Sequence, residues 1–551
     1  MSHESHLGHE SHRSPLFAAF EIVGNDGDCT DRWMGGRDWG VLGSRGLYYH
    51  EIFLCLVIKE KYMPSIICQQ FKQGFVVSAG IAPIVLWLNL FIPLATQAIV
   101  RGIEPVAVEQ ISGQQPRLDA RVRVARFDVD ATPPTGEAMA YERSIRDADL
   151  PLRCRGVVLL GAGEPIVLCA IDWIGVANEG HDAFRLAMAE AAGTRPDRVA
   201  VHAVHQHDAP FCDFTAERIL RDMGVKDFPV FDGDFHREVI KRASAAIRKA
   251  LPEARPATHW GFGRARVEEV ASNRRIMGDD GKVRAVRYST TREAALQNEP
   301  EGVIDPFVTA LSFWNEDVPL AVMTAYACHP QSYYHTRVPS PDFPGIARLI
   351  RSQDVPEALH VHFNGAGGNV TAGKYNDGSP ANRVRLATRL ASGMRQAFDS
   401  TVKSPLAASD VGWSAAEVLL EPASHLDAQL LAAQIQTPTG PSSSRAIDRL
   451  AWLERAGSGH PILVTCLRVG QARMLHLPGE LFVEYQLAAQ KMRPDLNVLM
   501  AAYGDYGPAY IGTAVAYDEG GYEMQQTSSF VGPKVEKQLL DTIRSLLEET
   551  Q

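Results

Sequence analysis

Two histidines, His205 and His207, stand directly after the apolar run Val199–Val204, at the point where a strand is expected to end. Alternate residues of a strand project to the same face, so the pattern predicts that both imidazoles point to one side. A neutral imidazole binds metal ions, and it also exchanges protons near neutral pH. One histidine of the pair is therefore a candidate metal ligand, and its neighbour is a candidate proton carrier or substrate contact.

Three more polar residues stand near the ends of apolar runs in the second half of the chain. His329 belongs to an Ala-Cys-His-Pro motif, Glu480 ends a Leu-Pro-Gly-Glu motif, and Tyr517 lies in the tyrosine-rich stretch Tyr503–Tyr522. Taken singly, each has a structural explanation; the glutamate, for example, suits the first turn of a helix. Together with one of the paired histidines they form two imidazoles, a carboxylate and a phenol, a ligand set suited to catalytic zinc.

A glycine-rich turn, Asn364–Gly373, follows another apolar run. It lacks the lysine and the helix start of a phosphate-binding loop, which disfavours nucleotide binding. We expect this turn to bring backbone N–H groups and the hydroxyl of Thr371 close to a substrate.

Composition and charge disfavour nucleic-acid binding and a disulfide scaffold. The 551 residues are 45% hydrophobic and 22% charged, which is ordinary for a folded protein. The formal net charge of -10 and the absence of a long basic block disfavour nucleic-acid binding, because phosphate neutralisation needs concentrated lysine and arginine. Beyond residue 120 the chain has five irregularly spaced cysteines, which does not describe a disulfide scaffold.

The N-terminal part differs from the rest of the chain. Residues 74–100 carry no charge over 27 positions, long enough for a membrane-spanning helix and also compatible with a signal peptide. We expect residues 1–62 to be a disordered or over-extended N-terminus, 63–100 to be a signal peptide or membrane anchor, and 101–120 to be a linker. Residues 121–551 form the predicted catalytic domain, which is therefore expected to be exported.

Beyond residue 120, strand and helix patterns alternate, which predicts an α/β protein with mixed sheets. No internal repeat is evident in the sequence. The clearest internal linker is Gln436–Arg445, and segments 411–460 and 211–234 are candidates for shaping specificity. Helices are predicted at 181–192, 235–250, 344–352 and 533–548.

From Ala125 to the C-terminus, these motifs resemble the neutral/alkaline (non-lysosomal) ceramidases, zinc-dependent amidases that hydrolyse the N-acyl bond of ceramide. The segment His205–Pro210 resembles the family's His-Thr-His-Ser-Gly-Pro pattern, whose first histidine binds zinc. The segment Ser272–Arg275 resembles Asn-Arg-Ser-Pro, in which the arginine lines the active site. The Leu-Pro-Gly-Glu motif matches the segment that holds the family's glutamate ligand.

The resemblance implies a layered sandwich of mixed β-sheets flanked by helices. It implies that zinc-activated water cleaves an amide bond of a lipid or small molecule, with zinc held by His205, His329, Glu480 and Tyr517. It assigns catalytic or substrate-orienting roles to His207, Arg274 and Thr371. The family's Gly-Asp-x-Ser-Pro-Asn reads Gly368–Gly373 here, with Thr371 in place of the serine, and a second family tyrosine near Phe530 is missing.

Two alternatives remain at this point. One is a hydrolase of the same fold that acts on a non-lipid amide or ester, such as a peptidoglycan fragment. The other is a catalytically inactive binding protein that retains zinc. A binding protein has no need for His207 beside His205, and this favours an enzyme.

Overall fold

The structure is a computed structural model, and the residues it describes are 121–225, 231, 233–436 and 442–548. Three predicted segments lie outside the described residues: the N-terminal extension at 1–62, the signal peptide or anchor at 63–100, and the linker at 101–120. Those assignments, and export with them, stay predictions. Within the described part of the chain, no helix is both long enough and apolar enough to cross a membrane.

The described residues contain 22 strands, numbered β1 to β22 in chain order. Their bounds are Arg123–Asp130, Arg153–Leu160, Ile166–Ile171, Gly175–Ala177, Val199–Ala203, Phe211–Asp213, Arg255–Pro256, His259–Arg266, Ser272–Asn273, Arg275–Met277, Val283–Val286, Phe307–Asn315, Val318–Tyr326, Leu359–Asn364, Val370–Thr371, Val402–Pro405, Val411–Val418, Ile462–Val469, Ala472–His476, Glu480–Leu481, Asn497–Ala501 and Tyr510–Ile511.

Eleven α-helices, α1 to α11, are found in the same residues: Asn178–Ala192, Phe214–Asp222, Gly233–Ala250, Ala294–Asn298, Asp342–Asp354, Pro380–Asp399, Ala428–Gln436, Ser442–Gly457, Val483–Met492, Ala514–Glu519 and Val535–Glu548. The four predicted helices are confirmed as α1, α3, α5 and α11, with small shifts at their ends.

The predicted linker Gln436–Arg445 is wrong in its second half, because α8 already begins at Ser442. Pro441 followed by serines is typical of a helix start, since serine side chains suit the first helical positions and proline costs nothing before them.

Three sheets repeat one topology. In the first, β1, β2 and β3 form an antiparallel meander, and the chain then crosses through α1 to β5, which pairs parallel to β3. In the second, β8, β12 and β13 form the meander, and α5 leads to β14. In the third, β17, β18 and β19 are followed by α9 and β21. The sequence showed no repeat because these three copies share an order of elements rather than residues.

The three sheets pack their inner faces into one shared core. In β2, consecutive residues Val157 and Val158 enter different cores, as the two-residue period of a strand requires. The shared core receives side chains from every sheet, among them Val157, Leu168, Met323, Val361, Met474 and Leu499. Helices cover the outer faces, as α1 and α3 do through Phe184, Met188, Val239 and Ile247. The predicted fold class, mixed α/β with layered sheets flanked by helices, is confirmed.

In each copy the two parallel strands end at the same edge, and polar residues follow them. His205 follows β5, His329 follows β13 and Glu480 follows β19. The partner strands β3, β14 and β21 lead to Ile174, Gly367 and Tyr506. Since parallel strands present their carboxyl ends together, each copy brings two loops to one place.

A buried ion pair joins the first copy to the second beside this edge. Arg348 in α5 donates to Oδ1 of Asp172, just after β3, at 2.7 Å, and the two side chains are only 5% and 0% exposed. Gln206 also donates to Oδ1 of Asp172, at 3.2 Å, so the ion pair supports the loop that carries His205.

We expect Arg348→Ala to lower the free energy of unfolding by about 3–5 kcal/mol, because it leaves the Asp172 carboxylate buried without its cation. Urea unfolding followed by circular dichroism measures the change. The matched control is Arg395→Ala, since Arg395 pairs with Asp354 at the surface and is 55% exposed, where such a pair contributes under about 1 kcal/mol. Equal losses for both variants would contradict the role given to the buried pair.

Candidate active site

Three ligand atoms converge at the common edge of the sheets. Nε2 of His205 lies 3.1 Å from Nε2 of His329, and Oε2 of Glu480 lies 3.3 Å and 3.2 Å from those two nitrogens. We name these atoms the ligand triangle. All three side chains are buried, with at most 3% of each exposed. Ligands on a tetrahedral zinc ion are separated by about 3.3 Å, given Zn–N distances of about 2.0–2.1 Å, so the triangle fits that ion.

Backbone carbonyls fix the tautomer of both histidines. Nδ1 of His205 lies 2.6 Å from the Ile174 carbonyl oxygen, and Nδ1 of His329 lies 3.1 Å from the Gly367 carbonyl oxygen. A carbonyl oxygen only accepts, so each Nδ1 carries a hydrogen, and in the neutral form of each ring Nε2 directs a lone pair into the triangle. Burial, with the nearby charge of Arg274, lowers the pKa of His329 to about 4. This imidazole is therefore neutral at pH 7.

The carboxylate of Glu480 completes the triangle. Its Oε1 accepts a short hydrogen bond from the hydroxyl of Tyr506, while Oε2 has no hydrogen-bond donor of good geometry in the described chain. Burial by itself raises the pKa of Glu480, but His205 and His329 hold it well below its usual range. A buried ionised carboxylate and two imidazole nitrogens that converge on one centre suit a bound cation, and this is the strongest structural indication of a metal site.

His205 occupies strained backbone. Its φ of 79° lies in the left-handed region, which few residues other than glycine adopt. Its N–H donates to the Trp173 carbonyl at 2.9 Å, and its ring stacks on Tyr503 with 4.4 Å between centroids. These contacts hold the conformation that turns the imidazole towards the triangle.

His207 lies beside the triangle rather than in it. The ligand nitrogens of His205, His207 and His329 all lie within 4.8 Å of one another, but Glu480 is closer to the other two histidines. Nδ1 of His207 is 3.0 Å from the Tyr141 hydroxyl, and its Nε2 is buried with no hydrogen-bond partner in the described residues. Burial first, and then His205 and His329, lower the pKa of His207 well below its usual value. Its Nε2 is free to exchange a proton.

The triangle opens into a cavity of about 290 Å³ that Arg274 also lines. The buried Arg274 guanidinium pairs with Glu523 at 2.9 Å, donates to the Gly368 carbonyl and donates to the Tyr510 hydroxyl at 2.9 Å. Because the oxygen of Tyr510 is used as an acceptor, its hydrogen is available to the cavity. Burial, then the charge of Glu480, raise the pKa of Tyr510 far above its usual value, so it is a neutral donor at pH 7.

The structure does not bring Tyr517 and Thr371 to this cavity. The Tyr517 hydroxyl lies 3.1 Å from Oγ of Ser529 and donates to the Val531 carbonyl at 2.9 Å. The Thr371 hydroxyl is fully buried and accepts from the Gly373 N–H at 3.2 Å. Tyr517 is thus corrected as a ligand and Thr371 as a catalytic group. The glycine-rich turn reaches the site through the carbonyls of Gly367 and Gly368, not through N–H groups or the hydroxyl as predicted.

Several residues that line the cavity were not singled out by sequence reasoning, among them Tyr141, Tyr506, Tyr510 and Arg445. The tyrosine-rich stretch pointed to phenols, but nothing in it distinguished Tyr506 and Tyr510 from Tyr517. Tyr141 lies in an irregular connection and Arg445 in the first turn of α8, both far from any motif, so no local pattern indicated them.

Comparison with solved structures identifies the architecture. A structure titled "Ceramidase complexed with C2" superposes with a TM-score of 0.57 at 15% identity, covering 78% of this chain and 75% of that chain. A neutral ceramidase from Pseudomonas aeruginosa gives a TM-score of 0.56 at 16% identity, with the same 78% and 75% covered. The chain has the neutral ceramidase fold. No protein-family model and no curated protein matches the sequence.

The ligand triangle leads us to predict which side chains the protein needs in order to bind zinc. His329→Ala removes one of three converging ligand atoms, so we expect the purified variant to lose its zinc. Tyr517→Phe leaves the triangle intact, and we expect it to retain as much zinc as the unchanged protein. Elemental analysis by plasma mass spectrometry after dialysis measures both. Zinc retained by His329→Ala, or lost from Tyr517→Phe, would refute this ligand assignment.

Proposed function

We propose that the protein is a zinc-dependent hydrolase that cleaves an amide (N-acyl) bond. The observation that carries the proposal is the ligand triangle with the unpartnered Nε2 of His207 beside it. The donor set of two imidazoles and one carboxylate, from His205, His329 and Glu480, is one that catalytic zinc uses. When bound, zinc supplies a Lewis acid that polarises a carbonyl and lowers the pKa of water to about 7.

The protein's own residues would then move the proton. Nε2 of His207 accepts a proton from the attacking water as the new C–O bond forms at the amide carbonyl carbon. When the C–N bond breaks, the same nitrogen returns that proton to the leaving amine. The Tyr141 hydroxyl orients the ring through Nδ1, so the exchange takes place at Nε2. The products are a carboxylic acid and an amine.

The reaction also needs a hydrogen-bond donor for the negative charge that develops on the carbonyl oxygen, and Tyr510, held by Arg274, supplies it. Arg274 holds the Tyr510 oxygen at 2.9 Å, which leaves the phenolic hydrogen directed to another acceptor. A donor positioned before the reaction needs no reorganisation, and losing one such donor slows turnover by about a hundred- to a thousandfold. Thr371, the hydroxyl predicted from the sequence, does not serve this purpose.

One observation supports cleavage of an amide bond rather than an ester bond, and a second supports a site of action outside the cytoplasm. Both solved structures named above share this fold and are ceramidases, enzymes whose reaction is amide cleavage. The uncharged segment 74–100 supports export by a signal peptide or attachment to a membrane. The activity is tested by measuring the amine that the zinc-loaded protein releases from a panel of N-acyl amides. Zinc binding without turnover of any of these amides would refute the proposed activity.

We expect His207→Ala to lower kcat by about a hundred- to ten-thousandfold, the usual contribution of a general acid–base group, while zinc stays bound. Tyr141→Phe removes only the group that orients the ring, so we expect a smaller loss of kcat and a displaced pH–rate profile. A structural role for Tyr141 would change stability without moving that profile. Zinc lost from His207→Ala would instead identify His207 as a metal ligand.

A further inference from the structure

Arg445 places a positive charge without an ion-pair partner among the described residues on the wall of the cavity. It lies in the first turn of α8, and its side chain lines both the 290 Å³ cavity and an adjoining one of about 60 Å³. Within the described residues, no carboxylate lies at ion-pair distance from its guanidinium and no group accepts a hydrogen bond from it. Asp448, one turn further along α8, lines the smaller cavity together with Arg445 and attracts its charge, but makes no ion pair with it.

Most of the other neighbours of Arg445 carry no compensating charge. They are the phenols of Tyr141, Tyr506 and Tyr522, and a phenol with a pKa near its ordinary value of about 10 is neutral at pH 7. Arg274, the other guanidinium of the cavity, is bound to Glu523. A half-buried cation without a partner is costly, so Arg445 is a ready partner for an anion.

The cavity as a whole favours a negatively charged ligand. Its charged lining residues are two guanidinium groups and the single carboxylate of Glu480, and a bound zinc ion would add two further positive charges. Its volume of about 290 Å³ lies at the low end for ligand pockets, which span about 300–1,000 Å³. Hydroxyl, amide and guanidinium groups dominate its wall, and such a wall suits a small polar amide better than two long hydrocarbon chains.

We propose that the substrate is an amide that carries an anionic group, as an N-acyl amino acid carries a carboxylate, and that Arg445 binds that anion. This inference rests on the proposed function, because it names the class of amide that the same site hydrolyses. A planar guanidinium matches a carboxylate with two parallel hydrogen bonds, which fixes orientation as well as affinity. Binding of the anion by Arg445 would hold the amide at a fixed position relative to the ligand triangle.

The test compares N-octanoylglycine with its neutral counterpart N-octanoylethanolamine. Calorimetric titration into the zinc-loaded His207→Ala protein measures binding without turnover, and amine release by the unchanged enzyme measures kcat/KM. We expect the carboxylate compound to be favoured by about ten- to a hundredfold in both, the range for a hydrogen bond to a charged group. An N-glutaryl alkylamine, whose carboxylate is on the acyl side, shows which side of the amide faces Arg445.

Variants of α8 then assign the preference to one residue. Arg445→Gln should bring the ratio between the two compounds close to one, and Arg445→Lys should restore part of it. The matched control is Arg449→Gln, one turn further along α8, where the guanidinium donates to Gln434 and to the Arg445 carbonyl. We expect this control to keep the full ratio, and thermal melting verifies that each variant is folded.

The outcomes separate the two proposals. Hydrolysis of both compounds at equal rates, or an equal loss of preference in Arg449→Gln, overturns the role of Arg445 and leaves the hydrolase proposal standing. Binding of N-octanoylglycine that depends on Arg445, without release of amine from any compound, supports the anion site and overturns the hydrolase.

Discussion

The site depends on one constraint, which is that three potential ligand atoms converge on a common centre from 3.1–3.3 Å apart. The imidazoles of His205 and His329 are held in this position because their Nδ1 hydrogens are donated to the Ile174 and Gly367 carbonyls. The ionised carboxylate of Glu480 is buried with them, and a buried carboxylate requires a positive charge nearby. A cation at the centre would be bound by all three atoms.

The threefold topology explains how the fold does this. Each copy contributes one ligand at the end of one parallel strand and that ligand's own hydrogen-bond partner at the end of the other. His205 is held by Ile174, His329 by Gly367, and Glu480 by the hydroxyl of Tyr506. Each ligand and its hydrogen-bond partner are thus positioned by one pair of hydrogen-bonded parallel strands. The relative position of the three pairs is set by the core that the three sheets share.

This division also explains what the sequence could predict. The residues that converge in the triangle follow apolar runs, so His205, His329 and Glu480 could be proposed as candidates from the chain alone. The mixed α/β class and four helices were also predicted, but the 20-residue helix Pro380–Asp399 was not. The repeat was not, because it exists in the order of strand pairings and not in the residues. Tyr517 was the wrong phenol because the tyrosine-rich stretch is divided among loops, β22 and α10, and only the folded backbone decides which hydroxyl reaches the cavity. Thr371 was misplaced because the turn approaches the site through its carbonyls.

The walls of the cavity follow from the same topology. In a meander of three antiparallel strands, the connection between the first and second strands emerges at the edge where the third strand ends. In each copy this connection therefore reaches the site: Tyr141 lies between β1 and β2, Arg274 between β8 and β12, and Arg445 between β17 and β18. These connections are not bound to the sheet pattern, so they can change without moving a ligand. A protein with this fold can thus keep the residues of the triangle while its cavity wall changes, and in this chain that wall includes Arg445, which has no ion-pair partner among the described residues.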